Sequence, residues 1–322
     1  MILVVLEHEG GAPDRLSAEA LTLGRRLADA TGGPLQAVAW GPGTEALAGA
    51  LGATGVAVLH AVEDARLSDY APEAIGVALA QLIERDRPDA VLGTGSERGA
   101  EVMAHAAART GLALAANCTD VVPGEPWQIT RQRWGGSLLE DARLDGPIRL
   151  LTVAPHAFEP AEATAAAPAA VEPFAPVLTD RDLRVRITSR VPAEAGKISL
   201  ADARVVVGGG RGVGSAEGFA QLDELAVLLG GAVGVSRVVT SAGWRPHAQQ
   251  VGQTGTRIAP DLYIACGISG AIQHIVGCRS AKAILAINTD RDAPMVTRAT
   301  YAVIGDLHAV LTAVIAEVRA SG

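Results

Sequence analysis

The chain alternates short apolar runs with longer stretches in which apolar residues recur every three or four positions. Between Ile2 and about Ala154 the runs ILVVL, LQAVAWG, VAVLHA and DAVLGTG read as strands. The stretches SAEALTLGRRLADATGG, TEALAGALGATG, PEAIGVALAQLIERDRP and RGAEVMAHAAARTG around them read as helices. Strands that are apolar on both faces predict a mostly parallel sheet, and helical connections predict right-handed crossovers. From roughly Leu200 the alternation resumes with ARVVVGGGRG, EGFAQLDELAVLLGG, AVGVSRVV, DLYIACGISG, AIQHIVG, AKAILAIN, YAVIG and DLHAVLTAVIAEV. The fold class is therefore α/β, in two α/β domains expected over residues 1–185 and 196–322. The intervening segment APHAFEPAEATAAAPAAVEPFAPVLTD, residues 154–180, has prolines at 155, 160, 168, 173 and 176 and predicts a linker or a strap over the surface.

Length and composition narrow the function. At 322 residues the chain can fill two ordinary cores. Hydrophobic residues reach 49% while aromatic ones supply only 3%, so those cores are built from Ala, Val, Leu and Ile, with few rings on which nucleic-acid bases could stack. A net charge of −8 and the lack of a Lys/Arg run argue against nucleic-acid and anionic-membrane surfaces. Cys118, Cys266 and Cys278 are odd in number and form no CxxC, which suggests a reducing compartment, no disulfide framework and no metal cluster. The start, MILVVLEHEG, runs into a strand without a targeting pattern. A cytoplasmic chain with no direct membrane insertion is expected.

The candidate chemistry lies in the second half. A strand runs straight into GGGRGVG (208–214), whose spacing matches neither GxGxxG nor a Walker loop, so tight packing and phosphate binding both remain open. Arg211 in that turn suits a pyrophosphate. Ser236 and Arg237 follow the strand AVGV and leave the same sheet edge. In VGQTG (251–255), Gln253 and Thr254 either address a heterocycle or form a bare polar turn. The segment GISGAIQHIVG (267–277) is expected to turn through Gly267 into a helix capped by Ser269. Its apolar stripe would be Ile268, Ile272, Ile275 and Val276, and its other side Ser269, Gly270, Gln273, His274 and Gly277. His274 there could offer a ligand a donor and, if protonated, a positive charge. Asn288 ends a strand and Asp306 opens the last helix, where an N-cap competes with a nucleoside contact. The first domain's glycine loop, GTGSERGAE (93–101), lacks the Lys of a phosphate loop and is expected to bind no nucleotide.

The run LYIACGISGAIQHIVGCRSAKAILAIN (262–288) resembles the signature of electron transfer flavoprotein α subunits. The likeness extends through GGRG (209–212), Ser236-Arg237, VGQTG and Asp306, and more loosely through ILVVLEH and RLLTVAPHAFEPAEA (149–163). It implies that the second domain is a Rossmann-like FAD-binding domain. It also implies a heterodimer whose β subunit holds AMP, and an electron carrier rather than an enzyme with its own substrate. Electrons would come from flavin-containing dehydrogenases, such as the acyl-CoA dehydrogenases of fatty acid β-oxidation, and leave to electron transfer flavoprotein-quinone oxidoreductase or another respiratory acceptor. The implied FAD residues are Arg211, Ser236, Arg237, Gln253, Thr254, Gly255, Ser269, Gln273, His274, Asn288 and Asp306. By the same likeness Ser269 and Gln273 address the pyrophosphate, Thr254 lies near flavin N5, Arg237 and His274 flank the ring system, and Asn288 and Asp306 serve the adenosine half. Redox tuning would fall to Arg237, His274 and Thr254. Ser241 stands where the family usually has Asp, Cys266 and Cys278 replace apolar residues, and Arg245 and His247 enrich the loop before VGQTG. The alternatives are an NAD(P)-binding dehydrogenase, whose glycine fingerprint the spacing does not satisfy, and a noncatalytic nucleotide-binding module.

Overall fold

The computed structural model describes residues 1–162, 167–189 and 198–321. The chain divides into two compact units, Met1–Val191 and Pro192–Gly322. The expected domain start at 196 and residues 163–166 of the proline-rich strap lie outside the described residues.

In the first unit the chain order is β1 (Ile2–Val5), β2 (His8–Glu9), β3 (Ala12–Pro13), α1 (Arg15–Thr31), β4 (Leu35–Trp40), α2 (Leu47–Gly52), β5 (Val58–Val62), α3 (Pro72–Asp86), β6 (Ala90–Thr94) and α4 (Glu97–Thr110). Then come β7 (Leu114–Val122), β8 (Trp127–Arg133), β9 (Leu138–Leu144), β10 (Arg149–Val153) and β11 (Ala170–Phe174). Its nine-stranded sheet has the order β11-β5-β4-β1-β6-β10-β7-β8-β9. Pairing is parallel from β11 to β7 and antiparallel for β7–β8 and β8–β9. Successive residues of β1 serve opposite faces: Ile2 and Val4 join one core, Leu3 and Val5 the other. The antiparallel extension carries a weaker signal, because β8 buries only Trp127 and Ile129 fully. The strap is more than a linker, since β11 pairs with β5 at the sheet's edge. Pro173 is tolerated there because an edge strand has one side without ladder bonds.

The second unit contains β12 (Val205–Gly209), α5 (Ala220–Leu228), β13 (Ala232–Val235), α6 (Arg237–Ser241), β14 (Leu262–Cys266), α7 (Ile272–Cys278), β15 (Ala283–Asn288), α8 (Pro294–Arg298), β16 (Tyr301–Ile304) and α9 (Leu307–Ser321). Its five strands run in the order β13-β12-β14-β15-β16 and are all parallel. Val207, Ile264 and Ile287 pack with Phe219, Leu222, Leu225 and Leu311 on one face; Val206, Tyr263, Ala265 and Ala286 pack with Ile268, Ile275 and Met295 on the other. No helix among the described residues is long and apolar enough to cross a membrane.

Part of the glycine cluster is explained by packing. Gly208 and Gly209 are the last residues of β12, where a Cβ would come within 2.3 Å of the Tyr263 hydroxyl and 2.2 Å of the Phe219 ring, respectively. Gly209→Ala should therefore overpack the α5 face and lower stability by about 1–3 kcal/mol. Thermal unfolding of the single variant and of Gly209→Ala/Phe219→Leu checks this, with the smaller side chain expected to restore part of the loss.

Candidate functional site

Because every strand of the second sheet runs the same way, their carboxyl ends share one edge. Arg211 follows β12, Ser236 and Arg237 follow β13, residues 267–273 follow β14, Asn288 ends β15 and Asp306 follows β16. The chain leaves β12 for β13 on one side and later for β14 on the other, and such a reversal of strand order opens a crevice at the carboxyl edge.

Backbone bonds lock these loops together. Gly210 N–H donates to the Cys266 carbonyl at 2.9 Å and Gly212 N–H to the Gly267 carbonyl at 3.0 Å. A Cβ on Gly210 would sit 2.2 Å from that Gly267 oxygen, and Gly267 itself has φ +60°. The Ser236 N–H donates to the Gly209 carbonyl at 3.0 Å, and Val251 N–H to the Val235 carbonyl at 2.9 Å. Gln253 N–H donates to the Gln273 carbonyl at 2.8 Å, which seats the VGQTG loop on α7. Gly255 is glycine because a Cβ would meet the Gln250 carbonyl at 2.3 Å. The Asn288 amide donates to the Ile268 carbonyl at 3.1 Å and accepts from Asp290 N–H at 3.1 Å. Asp306 accepts from Ala309 N–H at 2.9 Å as the N-cap of α9.

The structure corrects the expected helix start. Ser269 does not cap it: α7 begins at Ile272, after Ala271, with no side-chain cap bond. Gly270 has φ +83° and lies against the Met295 backbone, so the chain cannot enter the helix earlier. The apolar stripe changes accordingly. Ile272 is 68% exposed, whereas His274, expected on the ligand side, is buried.

His274 also differs electrically from expectation. Its Nε2 lies 2.8 Å from the hydroxyl of fully buried Tyr263. Desolvation holds the imidazole down to about 4, an effect the Val251 carbonyl only partly opposes without a hydrogen bond of acceptable geometry to Nδ1. The ring is therefore neutral near pH 7 and does not supply the positive charge. Burial also raises the Tyr263 phenol well above 10. Having no other hydrogen-bond acceptor among the described residues, it donates to Nε2 and leaves the proton on Nδ1. That Nδ1–H is buried, with the Val251 carbonyl near it but outside good hydrogen-bond geometry.

Other donors at this edge are also unused. The backbone N–H groups of Ser269, Gly270, Ala271, Ile272 and Gln273 have no acceptor among the described residues. Arg211 and Arg237 are exposed and have no ion-pair partner among them. By contrast, Arg245 is engaged, pairing with Asp223 and stacking 4.8 Å from the Phe219 ring centre. His247 and Ser241 are exposed.

The electron transfer flavoprotein domain model matches residues 2–178, and the electron transfer flavoprotein FAD-binding domain model matches 199–279. The chain is 34% identical over 321 residues to the electron transfer flavoprotein subunit alpha of Thermoanaerobacterium thermosaccharolyticum, covering 99% of this chain and 97% of that one. It is 39% identical over 312 residues to the subunit of Mycobacterium leprae, covering 96% and 95%, and 34% over 311 residues to that of Bacillus subtilis, covering 96% and 94%. The chain belongs to the electron transfer flavoprotein α-subunit family. Its second unit is an FAD-binding domain, and membership implies a heterodimer with a β subunit.

The donor set fits FAD. Unpaired N–H groups and two guanidinium groups without an ion-pair partner among the described residues suit a pyrophosphate, and a buried imidazole N–H without a well-formed hydrogen bond suits an acceptor on a ring. Sequence reasoning missed the residues behind this surface. Tyr263 fixes the His274 tautomer; Gln250 and Thr240 stand behind Thr254; His308 Nε2 lies 3.1 Å from the Val213 carbonyl and ties α9 to the Arg211 turn. The usable signal was a polar tip inside an apolar strand, as in LYIAC.

Two outcomes follow from this geometry. Gly267→Ala strains a left-handed residue and places a Cβ 2.7 Å from Gly212 Cα, so FAD retention should fall with stability, read from bound absorbance and thermal unfolding. For His274, the folded value of about 4 lies below the ordinary histidine value of 6.5. Below 6.5 the unfolded ring takes a proton that the folded one refuses, so stability falls as pH drops toward 4, by about 1.4 kcal/mol per unit from this group. His274→Gln should flatten that part of a pH series of denaturation midpoints, and an unchanged slope would show that the ring titrates normally.

Proposed function

We propose that this chain works as the FAD-carrying half of an electron-transferring heterodimer whose cofactor lies along the carboxyl edge of the second unit's sheet. The observation that carries this reading is the set of unpaired donors that several strand ends bring to one edge. When bound, FAD supplies the reversible uptake and release of electrons. The chain's residues bind, orient and tune it. The N–H groups from Ser269 to Gln273, with Arg211, hold the pyrophosphate. Arg237 and the neutral His274 face the ring system, Arg237 as a charge and His274 as an Nδ1–H donor. Ser236, Gln253 and Gly255 shape the wall around Thr254. Asn288 and Asp306 address the adenosine half with the polar atoms their local bonds leave over.

We place the donors among flavin-containing dehydrogenases, acyl-CoA dehydrogenases included, and the acceptor as a quinone oxidoreductase. AMP is assigned to the β partner. In the first unit the carboxylate of Glu7 accepts from the hydroxyls of Thr94 and Ser96 at the start of α4, and Ser96 caps Gly99 N–H at 2.8 Å. A side chain of this unit thus takes the position where a phosphate would sit, which supports a first unit without its own nucleotide.

Co-expression with a β subunit should yield a yellow protein that releases one FAD per α chain on denaturation, whereas a colourless complex would sink the reading. Arg237→Ala should lower the potential of the bound cofactor, because removing a nearby positive charge disfavours added negative charge. A loss of roughly 1–3 kcal/mol corresponds to about 40–130 mV for one electron. His274→Ala should have a smaller effect, since it removes a donor and not a charge. Reductive titration of the FAD-loaded heterodimer checks both.

A further inference from the structure

Behind Thr254 lies a buried amide with two ways to bond. Gln250 is 2% exposed. The Thr240 hydroxyl lies 2.7 Å from Gln250 Oε1 and 2.9 Å from the Arg237 carbonyl; Gln250 Nε2 lies 3.0 Å from Thr254 Oγ1. Thr240 has one proton, so it donates to one of its two acceptors at a time. In the orientation seen, Thr240 donates to Gln250 Oε1, Gln250 Nε2 donates to Thr254, and the Thr254 proton is free to point at a ligand.

Turning the amide by half a rotation keeps the heavy atoms in place and reverses every bond. Gln250 Nε2 then donates to Thr240, Thr240 donates to the Arg237 carbonyl, and Thr254 donates to Gln250 Oε1. Its oxygen becomes an acceptor for the ligand. Neither arrangement strands the buried amide, so the exchange avoids the cost of an unsatisfied polar group. The Gln250 backbone stays fixed meanwhile: its N–H donates to the His247 carbonyl at 2.8 Å and its carbonyl accepts from Thr256 N–H at 2.7 Å.

We propose that Gln250 is a positioning residue whose reversible amide turns the Thr254 hydroxyl between donor and acceptor. The proposal rests on the reading that places Thr254 beside flavin N5. That nitrogen has a lone pair in oxidised FAD and an N–H in fully reduced FAD, so a hydroxyl of fixed polarity would serve only one end state. A glutamate at 250 could only accept, and a leucine could do neither; an amide does both.

Thr240 supplies the test because it lies behind the relay. Thr240→Val costs the seen arrangement one bond and the reversed arrangement two, which biases Thr254 toward donating to the oxidised ring. The potential of FAD in the heterodimer should therefore fall, by a threefold to tenfold change in the redox equilibrium, or about 14–30 mV for two electrons. Thr240→Ser, which keeps the hydroxyl, should match the parent. In a Thr254→Val background the Thr240→Val effect should vanish, as expected for residues coupled through one network. A shift that persists in that background, or no shift with FAD still bound, overturns the proposal. If Thr254→Val alone leaves the potential unchanged, the placement of Thr254 fails and the proposal falls with it. Should Thr240→Val lose FAD, the side-chain amide signal of Gln250 in the glutamine-labelled parent heterodimer, assigned by its loss in Gln250→Leu, decides the matter. It should move between the oxidised and reduced protein; a signal that does not move overturns the relay.

Discussion

Two stretches of backbone in the second unit meet with no room for a side chain between them. Gly210 and Gly212 lie against Gly267, and their N–H groups are used on the carbonyls of Cys266 and Gly267. This contact ties the loops after β12 and β14 together and sets the course of both. It forces the left-handed turn at Gly267, after which Gly270 turns again and delays α7 to Ile272. The N–H groups from Ser269 to Gln273 are consequently left outside any helix ladder. The surface proposed to hold the pyrophosphate therefore arises from a packing constraint, with no lysine needed.

Burial sets the electrostatics of the same surface. The exposed guanidinium groups of Arg211 and Arg237 remain the positive charges, while desolvation neutralises His274 and Tyr263 fixes which nitrogen holds its proton. Charge and hydrogen-bond direction are thus supplied by different residues. A donor held in a dry site acts with little reorganisation, whereas an exposed charge is weakened by water and salt. The Thr240–Gln250–Thr254 chain belongs to the first kind, since its central amide is buried and its backbone fixed.

The first unit shows how a similar strand-to-helix turn can be closed. Its loop after β6 leads into α4 as a phosphate-binding loop would, yet Glu7 in the loop after β1 accepts both nearby hydroxyls. Its strap contributes an edge strand and its chain continues into an antiparallel extension, features that give this sheet nine strands against five in the second.

The sequence alone determined the βαβ alternation, the two-unit organisation and the loops that follow the strands of the second sheet, because apolar periodicity and glycine placement are local properties that backbone geometry enforces. The run from Leu262 to Asn288 carried the family in the same way, residue beside residue. Tertiary structure decided what depends on distant neighbours. The start of α7 follows from the Gly270 contact with Met295, the neutrality of His274 from its burial, and the strand in the strap from pairing with β5. Gln250 looked like one more polar residue before a turn. Only folding brings Thr240 and Thr254 to either end of its amide, because a hydrogen bond depends on separation in space and not along the chain.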